Sequence, residues 1–410
     1  MRSCIILFCV SAWLTAGPCH AGVPGDRPMR EVVDEGLARA RVQALAMAAS
    51  LKDRPGLLPR TLDTNGVLVT CTPDWWTSGF FPGVLWYVYE STGDTSIAAL
   101  ARNFTARVEA QQYVTSHHDV GFMIYCSFGN GYRLTHDPAY REVIRTAATS
   151  LSTRFDPVVG AIRSWGPSPW TSRWQYAVII DNMMNLEILE WTAKEFGLRG
   201  LDRIARAHAN TTMRNHFRAD LSTYHVVSYD TLSGLPEKKQ TSQGFSDGSL
   251  WARGQAWGLY GFTMMYRETG DTAYLRRAEG MADLIIHHPR FPADGIPYWD
   301  FDAPHIPDEL RDASAGAIMC SALLELSRYT DGTRSDAYRV VAERQLRSLS
   351  SPPYLAAPGT NGNFILRHGV GHRPAGSEVD VPLSYADYYF VEALMRYKQW
   401  APAIPSSTTR

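Results

Sequence analysis

One phrase recurs along this chain every few dozen residues. A helical run closes on Tyr or Leu, a short Gly/Asp/Thr turn follows, and a new helical run begins. It reads VYESTGDTSIAALA at 88–101, YRLTHDPAYREVIRTAA at 132–148 and MYRETGDTAYLRRAEGMADLI at 265–285. A looser copy, LSRYTDGTRSDAYRVVAERQL, occupies 326–346, and 187–210 repeats the pattern around Gly197 and Gly200. Glycine suits the left-handed position that closes a helix, and Asp or Thr accepts from the free N–H groups that open the next. Each phrase is therefore a helical hairpin, and hairpins at such a period stack into a solenoid or close into a ring. The amphipathic run at 36–52 belongs to the same series. At 410 residues the chain also exceeds what one compact core usually fills, about 250–300 residues, so two domains or a ring are expected.

Between the hairpins lie segments rich in aromatic residues and glycine: TCTPDWWTSGFFPG (70–83), SHHDVGF (116–122), IRSWGPSPW (162–170), STYHVVSYD (222–230), QGFSDGSLWARGQAWGLYGF (243–262) and FPADGIPYWDFD (291–302). Helices supply the scaffold and these loops supply the chemistry. YHVVSY reads as a short strand. A formal charge of −1 and the lack of any long Lys/Arg run argue against nucleic acid as a partner.

Residues 1–21 read as a secretory signal, with Arg2, an apolar run over 4–16 and a small-residue cleavage site closing at Ala21. A lipoprotein site at Cys19 is the alternative, disfavoured by Pro18. The expected protein is exported and periplasmic, without a membrane span. Residues 22–400 form its catalytic domain, and 401–410 a disordered tail. Cys71, Cys126 and Cys320 then remain, at no metal-like spacing, so no disulfide framework and no metal site is expected.

Two aspartates stand out. Asp119 follows His118 just before an apolar run, and Asp181 follows three β-branched residues before another helix. Either could be an ordinary helix cap. Their apolar surroundings favour the protonated form, which suits proton transfer, and paired carboxylates beside aromatic segments suit sugar chemistry. In the 243–262 stretch, Arg253, Trp257, Tyr260 and Met264 share one helical side, and Gly254, Gly258 and Gly261 another. The glycine side admits a close neighbour. The Arg/Trp side would face a lumen and offer a carboxylate fork and a stacking surface, or else be a core tryptophan with a snorkelling arginine. His225 could face a site or be an ordinary strand residue. Asp312 looks like a helix cap, and Asp300 and Asp302 are either substrate contacts or loop charges.

The segments WTSGFFPGVLWYVYE (76–90), HDVGFM (118–123), IIDNMMNLEIL (179–189), STYHVVSYD (222–230), the 243–262 stretch and EVDVPLSYADYYFVEALMR (378–396) resemble the unsaturated glucuronyl hydrolases of glycoside hydrolase family 88. The resemblance spans nearly all of 22–400 in the same order. It implies an all-α (α/α)6 barrel, with short β segments in its loops and the active site in the central cavity. The implied substrates are oligosaccharides left by polysaccharide lyases, glycosaminoglycan disaccharides foremost, that carry a 4,5-unsaturated uronic acid at the non-reducing end. The enzyme hydrates the C4=C5 vinyl ether. Asp181 matches the catalytic general acid/base and Asp119 the second essential carboxylate. His118, Trp165, His225, Gln243, Arg253 and Trp257 would line the pocket, Arg253 contacting the uronate carboxylate. No metal or cofactor is implied. Family members that act on sulfated disaccharides use hydroxyl residues and a lysine near the C-terminal part. Here that region reads RHGVGHRPAGSEVD, with His368, His372, Arg373 and Ser377 but no lysine, leaving Arg373 as the candidate anion contact. The alternatives are an unsaturated rhamnogalacturonyl hydrolase on the same barrel, a polysaccharide lyase or inverting glycosidase, and an exported glycan-binding protein without activity.

Overall fold

The computed structural model describes residues 27–400, so the expected signal segment at 1–21 and tail at 401–410 lie outside the described residues. Twelve α-helices follow one another: α1 (Met29–Ser50), α2 (Phe80–Thr92), α3 (Thr95–Ala106), α4 (Asn130–Thr135), α5 (Pro138–Ser152), α6 (Glu187–Phe196), α7 (Arg199–Asn215), α8 (Ala252–Thr269), α9 (Thr272–Ile286), α10 (Ala313–Leu326), α11 (Gly332–Leu349) and α12 (Ser384–Trp400). A π-helical segment, Gly121–Gly129, runs into α4, and a 3-10 turn, Ile180–Asn185, runs into α6.

The helices sort into two rings by sequence character. All of α10 (ASAGAIMCSALLEL) is buried, and α8 and α12 are buried along most of their length. Helices without a wet face belong inside. The partners α3, α5, α7, α9 and α11 alternate buried and exposed residues and cover the outside. The inner ring runs α2, α4 with its π segment, α6 with its 3-10 turn, α8, α10 and α12, and α12 packs back against α2. The sixth hairpin joins the two ends of the described chain: α1 lies outside α12 and α2. This is an (α/α)6 barrel, so the ring is the outcome among the two architectures the repeats allow.

The hairpin turns use the residues their phrases supply. Gly93 and Gly270 close α2 and α8 at φ 69° and 68°, and Asp94 and Asp271 then accept from Ser96 N and Ala273 N. Asp137 opens α5 in the same way, after His136 takes the left-handed position.

Among the described residues nine short strands occupy the loops: β1 (Leu58–Leu62), β2 (Leu68–Cys71), β3 (Phe155–Asp156), β4 (Ala161–Ile162), β5 (Ala177–Ile179), β6 (Val226–Tyr229), β7 (Pro236–Gln240), β8 (Gly369–His372) and β9 (Ser377–Val381). The YHVVSY segment is indeed a strand, β6, central in the antiparallel sheet β5-β6-β7. Its register pairs Ile179 with Val226, so the residues after β5 meet those before β6.

Candidate active site

That register brings Asp181 to His225. The Ile180 amide donates to the His225 carbonyl at 3.0 Å, and Asp181 Oδ2 then lies 3.8 Å from His225 Nε2. The other imidazole nitrogen, Nδ1, accepts from the Ser242 and Gln243 amides at 3.0 and 3.2 Å. Those two donors place the ring proton on Nε2, facing the carboxyl group. Burial holds the His225 pKa well below its ordinary value, with the Arg253 charge adding to the effect, so the ring is neutral.

Asp181 is 8% exposed and sits in the 3-10 turn without capping any helix. Burial raises its pKa from 3.8 to about 7, against an opposing pull from Arg253 and a further push from the charge of Asp119. The Trp257 indole N–H approaches the same carboxyl and lowers its pKa slightly. It closes no hydrogen bond: Asp181 Oδ2, His225 Nε2 and Trp257 Nε1 are all buried without a protein partner. Buried polar atoms are rarely left unpaired, and three around one carboxyl group mark a site shaped for something else to bond.

The turn reaches this position through the glycines of α8. A Cβ on Gly258 would lie 2.5 Å from Met281 Cε and 3.5 Å from Ile180 Cδ1. One on Gly261 would lie 2.4 Å from Met183 Cβ. The glycine side therefore docks the turn that carries Asp181, together with α9. From the other side, Asn185 Oδ1 accepts from the Phe122 amide at 2.9 Å and packs on Gly121. Asn185 thereby ties the Asp181 turn to the π segment behind Asp119.

Asp119 also caps nothing. Its carboxylate lies between two histidines, 3.1 Å from His117 Nδ1 and 3.4 Å from His118 Nε2. Burial pushes its pKa up, but His118, His117 and Arg154 outweigh that, and the net shift is downward. Burial lowers the His118 pKa to about 4 despite the Asp119 charge. The two carboxyl groups are thus driven apart, Asp119 toward the ionised form and Asp181 toward the protonated one, so Asp181 is the proton carrier of the two. Ser164 fixes the wall between them: its carbonyl accepts from His118 N and its hydroxyl from Ile179 N.

Two expectations change. Arg253 does not present a free fork. Its Nη1 donates to Asp312 Oδ2 at 3.1 Å and to the Val370 carbonyl, and its Nη2 donates to Gln243 Oε1 and the Gly371 carbonyl. The guanidinium is a buried strut joining α8, α10 and β8, and it acts on Asp181 through its charge. Trp257 offers no stacking face, being 0% exposed with its ring 5.2 Å from Phe122 and 5.4 Å from Tyr389. At that depth aromatic side chains fill the lumen, leaving only the indole edge beside Asp181.

Trp165 stands half-buried at the mouth, 6.1 Å from His225 and 4.9 Å from Trp170. Gln243 reaches the site through its amide on His225 and its carbonyl on Arg253. Arg373 is exposed at the tip of the β8–β9 hairpin, and no side chain among the described residues pairs with it. Asp312 caps α10 through Ser314 N at 3.0 Å while pairing with Arg253. Asp300 is structural, accepting from Phe245 N, Ser249 Oγ and Asp302 N, and Asp302 accepts from Leu250 N. The sequence reading passed over His117, Asn185, Trp76 and Trp251. Trp76 packs on Phe122 and Tyr385, and Trp251 stacks 4.4 Å from His225. The histidine doublet and the tryptophans of the quoted loops were the available signals. No group of His, Cys, Asp and Glu that could hold a metal occurs among the described residues.

A barrel of this kind, with a neutral histidine and a raised carboxyl group at one end of its lumen, defines a glycoside hydrolase of the (α/α)6 class. No protein-family model matches the chain. It is 47% identical over 322 residues to an unsaturated glucuronyl hydrolase of Formosa agariphila, covering 78% of this chain and 79% of that one. It is 33% identical over 351 residues to an unsaturated chondroitin disaccharide hydrolase of Streptococcus pyogenes serotype M1, covering 84% and 86%. Its fold superposes on the crystal structure of an unsaturated glucuronyl hydrolase specific for heparin with a TM-score of 0.87 and 48% identity, covering 90% and 97%. The chain belongs to the unsaturated glucuronyl hydrolase family.

Proposed function

We propose that this enzyme removes the 4,5-unsaturated uronic acid from the non-reducing end of lyase-generated oligosaccharides, with Asp181 as general acid and then general base. Protonated Asp181 gives its proton to C4 of the C4=C5 bond, and positive charge develops at C5 beside the ring oxygen. The carboxylate so formed takes a proton from the water whose oxygen bonds to C5. The resulting hemiketal opens, and C1 releases the remaining sugar as an alcohol. One water is consumed and Asp181 ends protonated. Asp119, held ionised between His117 and His118, orients the ring hydroxyls. His225 Nε2–H and Trp257 Nε1–H donate to the substrate or to the water. Arg253 makes the ionised form of Asp181 accessible, and its charge favours the uronate carboxylate near the site.

The observation that carries this reading is the set of unpartnered buried atoms around one carboxyl group poised near pH 7. A binding module has no use for a proton donor so poised, and a lyase would need a group to abstract a proton and would create the double bond. Incubation with unsaturated disaccharides, followed by the absorbance of the conjugated uronate, tests it: hydration abolishes the band. A stable band with every unsaturated substrate would refute the proposal.

Relatives act on heparin and on chondroitin disaccharide by their names. These substrates share an unsaturated uronyl residue on an anionic glycosaminoglycan backbone, and we assign this enzyme the same class, with Arg373 as an anion contact at the mouth. The N-terminal residues 1–21 fit export to the periplasm, which osmotic-shock fractionation of the producing cell would test.

A further inference from the structure

A row of indole rings leads away from the chemistry described above. His225, 3.8 Å from Asp181, is followed by Trp165 at 6.1 Å and then by Trp170 at 4.9 Å and Trp174 at 5.3 Å. Exposure rises from His225, which is buried, through half-buried Trp165 to Trp170, which is 57% exposed, while Trp174 is buried. Leaving an indole in water forgoes much of the burial energy a tryptophan usually provides. The loop that does so is pinned. Thr171 Oγ1 accepts from the Ser168 amide at 2.8 Å and donates to the Gly166 carbonyl at 2.9 Å, and Trp174 Nε1 donates to Gln240 Oε1 at 2.9 Å. Pro167 and Pro169 further restrict the backbone. Trp170 is thus presented on a stiff support.

Two cations lie by the neighbouring Trp174, whose ring centroid is 6.4 Å from that of Trp170. The Arg173 guanidinium lies 3.9 Å over the Trp174 ring, and Lys238 Nζ donates to the Arg173 carbonyl at 2.7 Å. Both side chains are exposed, and neither pairs with a carboxylate among the described residues. The Arg173 charge is felt at His372, whose Nε2 is 2.8 Å from the carbonyl of Ser242, the residue whose amide donates to His225.

We propose that Trp170, Arg173 and Lys238 form an outer subsite for an anionic sugar lying beyond the first leaving sugar. Trp170 provides the stacking platform, and the two cations take a sulfate or carboxylate group on that unit. The proposal deepens the functional reading above and rests on it. It predicts a preference for unsaturated tetrasaccharides over disaccharides that the catalytic residues cannot produce.

The test uses the full-length enzyme, Trp170→Ala and the double variant Arg173→Ala/Lys238→Ala. Substrates are an unsaturated disaccharide and unsaturated tetrasaccharides from sulfated heparin and unsulfated hyaluronan, followed by loss of uronate absorbance. Binding of the same tetrasaccharides to Asp181→Asn, with and without Trp170→Ala, is measured by calorimetry. Each variant should lower kcat/KM for a tetrasaccharide by on the order of ten-fold, the loss of one charge-assisted or stacking contact, mainly through KM. The disaccharide should stay within about two-fold of wild type, since it does not reach the subsite. In Arg173→Ala/Lys238→Ala, a loss confined to the heparin arm identifies sulfate as the anion, and equal losses identify carboxylate. Normal disaccharide turnover with tetrasaccharide kinetics unchanged in both variants overturns the subsite alone. No turnover of any substrate, with Trp170-dependent binding retained, overturns the hydration reading and upholds the subsite. No turnover with binding indifferent to Trp170 overturns both.

Discussion

Asp181 carries an ionisation that can be followed in two ways. As a general acid it must be protonated, so kcat should fall about ten-fold per pH unit above a pKa near 7, and Asp181→Asn should lose nearly all turnover while keeping its fold. Stability follows pH in the same direction. The folded-state pKa is raised above the unfolded one, so the folded chain holds its proton more tightly. That stabilisation is complete below about pH 4 and is lost as pH rises through about 7. Asp181→Asn, which cannot ionise, should therefore melt higher than wild type at pH 8, with the gap narrowing toward pH 5. Equal melting points at both pH values would contradict the burial of a titrating carboxyl group there. Both aspartates could be singled out from sequence because their neighbours are apolar. The commitment of Arg253 could not, since its partners Asp312, Val370 and Gly371 lie 59, 117 and 118 residues away. Helical spacing says which side a residue occupies, not what distant loop arrives there.

At the scale of the element, the glycine side of α8 is an accuracy device. An added methyl at Gly261 would meet Met183 Cβ at 2.4 Å and its carbonyl carbon at 3.3 Å, and must displace the turn holding Asp181. Overpacking of this sort costs roughly 1–3 kcal/mol, more than the about 1 kcal/mol of helix propensity that alanine returns. Gly261→Ala should lower both the denaturation midpoint and kcat. Gly200→Ala, where the new methyl meets only the Arg203 guanidinium at 3.9 Å, should leave kcat alone and keep or raise the midpoint. Equal effects at the two positions would remove the positioning role. Close packing along the glycines was legible from their spacing. Its object was not, because the Ile180–Asn185 turn becomes a neighbour only through the β5–β6 register. The π-helical winding of Gly121–Gly129 left no local trace in the sequence either.

At the scale of the whole molecule, hairpin repeats announced stacked helices but left ring and solenoid equally open. Closure is settled by contacts between the chain's distant parts, α12 with α2 and α1 with α12. The far end of the ring is bolted by ions and hydroxyls. Arg267 of α8 meets Glu187 of α6 and Glu325 of α10, Arg396 of α12 meets Glu325 at 2.9 Å, and Glu392 accepts from Tyr87 of α2 at 3.0 Å. Removing one partner of a buried pair strands the others, so Glu325→Ala should cost roughly 3–5 kcal/mol, read as a lower denaturant midpoint. Its kcat below the transition should match wild type, because Asp181 lies at the opposite end. These groups line a cavity of about 510 Å³ that the aromatic layer of Trp257, Phe122 and Tyr389 separates from Asp181. That layer makes the catalytic lumen a blind alley. A polymer cannot thread through it, and a product can only back out the way it came.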